Sequence, residues 1–410
     1  MRSRRFLGIV LIIAVLIEVY VFQAIRTITQ GLPPETRTVL FIAYWTLTVL
    51  ALGALILLPY LRLRYSRASG YLFATVLGLY IAKLLAALFL LIDDIRRLIQ
   101  WLVLRTSAAA NLTTGAGIPR SVFLSWLGIV LGSGVLGALI YGFSNKYNYK
   151  VHRVKLAFEN LPAAFKGLRI AQLSDIHSGS LEDPAAVNKG VDRVLAEKPD
   201  LILFTGDLVN NLASEVVDYQ AIFGRLKAPM GVFSTLGNHD YGDYAGWESV
   251  EAKKANLDRL KAIQREMGWR LLMNEHVALE KDGAQIALIG IENWSAKARF
   301  PKYGQMEQAH RGTGKYPFKV LMSHDPSHWD AEVRPHYPDI DLMLSGHTHG
   351  MQFGIELPGL KWSPVQFLYR QWAGLYQAGR QRLYVNRGFG FIGYPGRFGI
   401  LPEITLIELT

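Results

Sequence analysis

The chain has no cysteine among its 410 residues. That excludes a disulfide framework, a zinc–thiolate site and a thiol nucleophile, and it leaves any metal site to His, Asp, Glu or Asn. Acidic residues are scarce in one part only. Residues 1–150 hold 15 Lys/Arg against 4 Asp/Glu, whereas residues 151–410 hold 29 of each. The formal charge of +11 therefore belongs to the N-terminal part, and no specific nucleic-acid binding is expected of the neutral remainder.

Charge is also missing from long apolar stretches. Residues 39–58 and 122–143 contain none, 6–25 only Glu18, and 71–92 only Lys83. Each is long enough to cross a hydrocarbon core of roughly 30 Å, which predicts four transmembrane helices within residues 1–145. The last carries Gly128, Gly132, Gly134 and Gly137, small-xxx-small spacings suited to close helix packing. The first stretch follows Arg2, Arg4 and Arg5 but is too long for a signal peptide and has no small-x-small cleavage site before Gln30, so it is read as a retained helix. Glu18 and Lys83 either pair or face the bundle interior. Arg2, Arg4, Arg5, Arg62, Arg64, Arg67, Lys146, Lys150, Arg153 and Lys155 flank one side of the four spans. Arg26, Arg37, Arg96, Arg97, Arg105 and Arg120 are spread over longer loops on the other. The bias puts both termini in the cytoplasm, making a multi-pass membrane protein with a cytoplasmic C-terminal domain.

Residues 146–166 read as a linker and 167–410 as a layered α/β domain. Short apolar runs at 168–173, 201–204, 231–236, 318–322 and 340–344 read as buried strands, with helical patterns at 184–198 and 249–267 between them. Asp282-Gly283 reads as a hairpin turn. Each run ends in a polar cluster: Asp175-Ile176-His177, Gly206-Asp207, Gly237-Asn238-His239-Asp240, Ser323-His324 and Gly346-His347-Thr348-His349. Ligand sites of layered α/β sheets form outside the carboxyl ends of strands, so the five clusters should converge. Two aspartates, an asparagine and four histidines are too many for one tetrahedral zinc and suit two cations that share a bridging carboxylate.

This ordered set resembles the signature of the calcineurin-like metallophosphoesterases. The run from Leu383 to Gly390, with Pro395-Gly396-Arg397-Phe398 and Pro402-Glu403-Ile404, looks like the bacterial YkuE/YaeI-type branch of that family, which implies a bacterial inner membrane for the four spans. The resemblance implies a four-layer fold, two mixed β-sheets sandwiched by helices. It implies one cation on Asp175, His177, Asp207 and His349 and another on Asp207, Asn238, His324 and His347, with Asp207 bridging. Mn, Fe or Zn would suit these donors. His239 would be the general acid or charge stabiliser for the leaving oxygen, oriented by Asp240.

The expected reaction is hydrolysis of a phosphodiester or pyrophosphate by metal-bound hydroxide, on a phosphorylated small molecule or a lipid-linked substrate such as UDP-2,3-diacylglucosamine. Alternatives are a broad-specificity nucleotide or nucleic-acid phosphodiesterase and a metal-dependent membrane sensor without turnover. No acid lies between Glu356 and Glu403, while Lys361, Arg370, Arg380, Arg382, Arg387 and Arg397 do, interleaved with Trp362, Phe367, Leu368, Tyr369 and Trp372. Arg387 and Arg397 are therefore the expected substrate-binding residues, unless the aromatics pack into the core and the arginines are solvated.

Overall fold

The computed structural model describes residues 2–64, 66–106 and 118–410. It divides the chain into two compact units, Met1–Tyr141 and Gly142–Thr410. Of the flanking charges used to orient the spans, the side chains of Arg2, Arg4, Arg5, Arg62, Arg64 and Arg67 lie outside the described residues.

The first unit is helical: α1 (Arg2–Ile28), α2 (Pro34–Arg64), α3 (Ser66–Thr106) and α4 (Val122–Gly142). All four are long and apolar enough to cross a membrane. Helix α3 runs well past the apolar stretch 71–92, because Asp93, Asp94, Arg96 and Arg97 continue the helix as a polar layer. Arg96 pairs with Asp93, and both Arg97 and Arg120 pair with Asp94. Two of the four glycines of α4 meet the α3 backbone: a Cβ on Gly132 would stand 2.5 Å from the Ala82 carbonyl oxygen and one on Gly128 3.1 Å from that of Ala86, whereas Gly134 and Gly137 face open space.

Inside the bundle, Lys83 Nζ lies 2.6 Å from both carboxylate oxygens of Glu18, and Thr48 Oγ1 donates to the same carboxylate at 2.7 Å. Each charge is tolerable in hydrocarbon because of the other. Lys83→Ala leaves the Glu18 charge uncompensated, so thermal unfolding in detergent should show a loss of about 3–5 kcal/mol. Combining Lys83→Met with Glu18→Gln should restore most of it. A single variant as stable as the parent would show that the pair contributes nothing.

The second unit holds two six-stranded sheets and a separate hairpin. The first sheet uses β1 (Lys150–Leu156), β2 (Arg169–Leu173), β3 (Leu201–Phe204), β4 (Val232–Ser234), β5 (Arg270–Leu271) and β14 (Glu403–Leu409), in the order β1-β14-β2-β3-β4-β5. The second uses β6 (Glu275–Lys281), β7 (Ala284–Gly290), β8 (Lys319–Met322), β9 (Leu342–Ser345), β12 (Gly374–Ala378) and β13 (Gln381–Val385), in the order β12-β13-β9-β8-β7-β6. The hairpin is β10 (Ile355–Leu357) with β11 (Leu360–Trp362).

Alternation along the strands builds four layers. Ile170, Leu203, Leu288, Val320, Met322 and Leu344 fill the core between the sheets. Their neighbours Ala171, Ile202 and Phe204 pack outward on Val187, Val191, Leu260 and Ile263 of the helices Pro184–Ala196 and Val250–Glu266. Ile289, Leu321 and Met343 pack outward on Trp329 and Val333. Strands apolar on both faces are what a sheet covered on both sides requires. The hairpin β6–β7 turns at Asp282 and Gly283, both at positive φ as a tight two-residue turn needs.

One expectation is corrected. Within the supposed linker 146–166, Lys150–Leu156 is an edge strand, paired in parallel with β14 from Lys150↔Glu403 to Leu156↔Leu409. An edge strand keeps charges such as Lys150, Arg153 and Lys155, which in sequence look like linker. These three belong to the folded domain and so weigh less in the membrane-orientation argument.

Candidate metal centre

Strands β2, β3 and β4 run parallel in one sheet, and β8 and β9 run parallel in the other. Their carboxyl ends open onto a common site. Asp175, His177, Asp207, His347 and His349 all have positive φ. Five non-glycine residues in the left-handed region at one site is strain held by the surrounding fold, as functional loops show. The neighbouring glycines explain the packing. A Cβ on Gly237 would fall 2.1 Å from Asp207 Oδ1, and one on Gly346 would fall 1.9 Å from Ser174 Oγ.

The side chains form two clusters, Asp175 with His177 and His349, and Asp207 with His324 and His347. Within the first, His177 Nε2 and His349 Nε2 face each other at 3.0 Å, and His349 Nε2 stands 3.2 Å from Asp175 Oδ1. Within the second, His324 Nε2 is 3.0 Å from Asp207 Oδ2 and 3.3 Å from His347 Nδ1. The same Asp207 oxygen is 3.6 Å from His177 Nε2, which places this carboxylate between the clusters. Asn238 is buried, its Nδ2 donates to the Tyr244 hydroxyl at 3.0 Å, and its Oδ1 has no hydrogen-bond partner among the described residues. A buried amide oxygen without a donor calls for an electropositive partner. With the oxygen and imidazole donors around it, this fits a pair of divalent cations.

Hydrogen bonds behind the rings choose which nitrogen faces inward. His324 Nδ1–H donates to the Thr205 carbonyl at 2.7 Å, so Nε2 is the nitrogen that faces Asp207. His347 is turned the other way, with Nε2 2.9 Å from the Tyr369 hydroxyl and 3.5 Å from Asp325 Oδ2. Burial opposes the Asp325 charge, but His347 and hydrogen bonds from Ser295 and Ser327 hold its carboxyl below the usual range. Tyr369 and Asp325 support the site without having been singled out for that role in sequence. Asp325 follows His324 directly, which was the available signal.

Burial penalises charge on Asp207, yet His324 and His239 hold it well below the ordinary carboxylate range. Burial likewise opposes charge on His324, but Asp207 and Asp175 push it up to about 10. Without cations the ring is thus protonated at neutral pH, and a ligand must be neutral. Apparent cation affinity should therefore rise with pH, about tenfold per unit for each proton displaced. Calorimetry in buffers of different ionisation heat would count those protons; binding without proton release would remove His324 from the ligand set.

Three sequence expectations fail here. Asp240 does not touch the His239 ring. Its carboxylate accepts from the backbone N–H groups of Asp207, Leu208 and Gly237, each at 2.8 Å, and of Val209 at 3.3 Å. Burial first and Asp207 second push it up to about 7. The His239 ring is instead fixed by Nδ1–H donating to the Asn210 carbonyl at 2.8 Å. Arg387 is buried between Glu403, at 2.5 Å, and Glu356. Those are the two acids that bracket the basic stretch in sequence, and spacing alone could not show them meeting. Arg397 is wholly buried, donating to the carbonyls of Arg387, Gly388 and Gly390 and standing 3.2 Å from His349 Nδ1. Neither arginine is open to a substrate.

A four-layer α/β domain with an Asp/His cluster at its strand ends, following four membrane-type helices, is the architecture of a membrane-associated metallophosphoesterase. Residues 168–351 match the family described as "Calcineurin-like phosphoesterase", and residues 3–146 match "Probable Calcineurin-like phosphoesterase, transmembrane domain". The chain is 31% identical to the Bacillus subtilis protein "Uncharacterized metallophosphoesterase YkuE" over 63% of its own length and 84% of that protein. It is 31% identical to a Danio rerio "Transmembrane protein with metallophosphoesterase domain" over 66% of its own length, spanning 60% of that relative. With the Escherichia coli "Phosphodiesterase YaeI" it shares 28% identity over 64% of its length and 88% of that protein. The chain belongs to the calcineurin-like metallophosphoesterase family, whose members are metal-dependent phosphoester hydrolases.

Proposed function

We propose that this protein is a membrane-anchored phosphoesterase that cleaves a phosphodiester or pyrophosphate bond with two divalent cations. One would be held by Asp175, His177, Asp207 and His349 and the other by Asp207, Asn238, His324 and His347. The observation that carries this reading is the position of Asp207 between two clusters, beside an Asn238 oxygen with no other partner. When bound, such cations supply Lewis-acid charge at the phosphoryl oxygens and acidify water at neutral pH. The chain's own residues do the rest. His239, half-buried and pinned at Nδ1, has Nε2 as the nitrogen that exchanges a proton with the leaving oxygen. Tyr369 and Asp325 hold His347 in its ligand orientation, and Thr205 does so for His324.

The substrate class is a phosphodiester or pyrophosphate presented at a membrane; among the described residues, none singles out the uridine or acyl groups of UDP-2,3-diacylglucosamine. The test is the full chain in nanodiscs with Mn²⁺, assayed in parallel on p-nitrophenyl phosphate, bis(p-nitrophenyl) phosphate and a lipid pyrophosphate. Turnover of a diester or pyrophosphate above an Asp207→Asn control supports the proposal. Cation binding with no turnover on any substrate replaces it with a metal-dependent sensor. The cytoplasmic placement of the domain is part of the same proposal, and digestion only from the periplasmic face of oriented vesicles would reverse it.

A further inference from the structure

The hairpin β10–β11 is built inside out. Its register pairs Ile355 with Trp362, Glu356 with Lys361 and Leu357 with Leu360. Side chains alternate across a strand pair, so the apolar four share one face and the two charges share the other. The charged face is the one held to the domain: Glu356 pairs with Arg387, and Lys361 Nζ donates to the Ala373 carbonyl while lying 4.8 Å from the Trp372 ring. Three of the apolar four are turned to solvent, Leu357 61%, Leu360 52% and Ile355 41% exposed, and Trp362 is half-buried. A half-buried hairpin in water has the opposite arrangement.

This face continues to the rim of the metal centre. Ser363, next after the hairpin, donates to the Gly350 carbonyl at 2.7 Å. The turn Pro364–Phe367 then presents Phe367, 77% exposed, and beside it Leu368, before Tyr369 turns inward to His347. Met351, two residues beyond His349, is exposed as well. On another side of the same imidazole, Phe300 sits edge-on to His347 at 4.6 Å, within the segment 295–302 that carries exposed Lys297, Arg299 and Lys302 and no acid. Lys297 Nζ lies 5.4 Å from the Tyr369 ring.

We propose that this rim docks on an anionic lipid surface, the hairpin and the Phe367–Leu368 pair entering the interface while Lys297, Arg299 and Lys302 meet headgroup phosphates. Apolar side chains flanked by cations are the composition that interfacial binding uses. Four membrane-type helices in the same chain keep lipid at high local concentration. An apolar face of this kind, rimmed by charge, marks an interaction site rather than ordinary surface. The inference deepens the proposed function by naming a surface that would bring a lipid phosphate to the cations, and it rests on that reading only for the substrate, since docking is measured without turnover.

The absence of cysteine makes the test direct. Leu357→Cys and Phe367→Cys, with Asp282→Cys in the β6–β7 turn as control, each carry a polarity-sensitive fluorophore. The full chain is reconstituted in phosphatidylcholine–phosphatidylglycerol vesicles containing doxyl-labelled lipid. Doxyl lipid should quench the labels at 357 and 367 several-fold more than the one at 282. Adding Lys297→Glu with Arg299→Glu, or omitting phosphatidylglycerol, should weaken that quenching, and Leu357→Glu with Leu360→Glu should abolish it at 367. Quenching no stronger than at 282 overturns the proposal. So does a label shielded from water but not quenched, with energy transfer between labelled chains, because a second copy then covers the face. A protein that docks yet hydrolyses nothing leaves this inference standing and removes the hydrolytic one. A protein that turns over bis(p-nitrophenyl) phosphate without quenching does the reverse.

Discussion

Asp207→Asn is expected to lower turnover about a thousandfold, on the order of 4 kcal/mol in the barrier, and to remove both cations rather than one. Asp207 Oδ2 is 3.0 Å from His324 and 3.6 Å from His177, closer to both clusters than Asp175, whose Oδ1 is 3.2 Å from His349 but 4.0 Å from His324. An amide keeps the shape and the oxygen acceptor for the His239 N–H, which sits 2.9 Å from Oδ1, but loses the negative charge that two adjacent cations need. The same charge counters the burial cost on His324, which would lose much of its elevated proton affinity. Metal analysis of the variant distinguishes this from a simple loss of chemistry. Single substitutions of His347 or His349 should empty one position first, because their rings belong to different clusters. An Asp207→Asn protein that retains two cations per chain would show that the carboxylate does not bridge.

Asp240→Ala is expected to be the most destabilising single change at the site, although Asp240 belongs to neither histidine cluster. Its two oxygens collect four backbone N–H groups, three from the Asp207 loop and one from Gly237. Removing them orphans buried donors at about 1–3 kcal/mol each, before any relaxation by water. A loss of about 4 kcal/mol or more in thermal or denaturant unfolding belongs to the exceptional class of mutations. Asp240→Asn should be milder at neutral pH, since the folded environment already raises this carboxyl to about 7. In the unfolded chain the group ionises at its ordinary, lower pKa. Its raised folded value therefore costs stability as pH climbs between the two, and the asparagine variant should lose less over that range. An alanine variant with unchanged stability and cation content would refute the bracing role.

The contrast between Asp207 and Asp240 shows what kind of information sequence carries. Both follow a short apolar run and a glycine, and both are carboxylates in a polar cluster. Position at a strand end was enough to group Asp175, His177, Asp207, Asn238, His324, His347 and His349 as one candidate set, because the end of each continuous apolar run marks where a strand buried on both faces stops and the turn begins. It could not say which carboxylate faces the histidine clusters and which braces the backbone, since that depends on rotamer and on loops 30 or more residues apart in sequence. Arg387 and Arg397 failed for the same reason. Their partners Glu403, Glu356 and the carbonyls of residues 387–390 come from pairing β14 beside β2 and from the C-terminal loop folding under His349. Strand β1 was missed because an edge strand shares its charge pattern with a linker. Its identity comes from the partner strand at the far end of the chain.

By itself, the sequence determined the two-part division, the four membrane-length apolar helices and the apolar strands ending in ligand-type residues. These follow from local composition and periodicity, which burial in hydrocarbon or between layers imposes residue by residue. Only the tertiary structure decided which nitrogen of each histidine faces inward and which acids brace loops. It alone showed that two arginines are structural and that the hairpin beside the site turns its leucines to the outside. Those outcomes depend on contacts between distant segments, and no local pattern encodes the direction in which a side chain finds its partner.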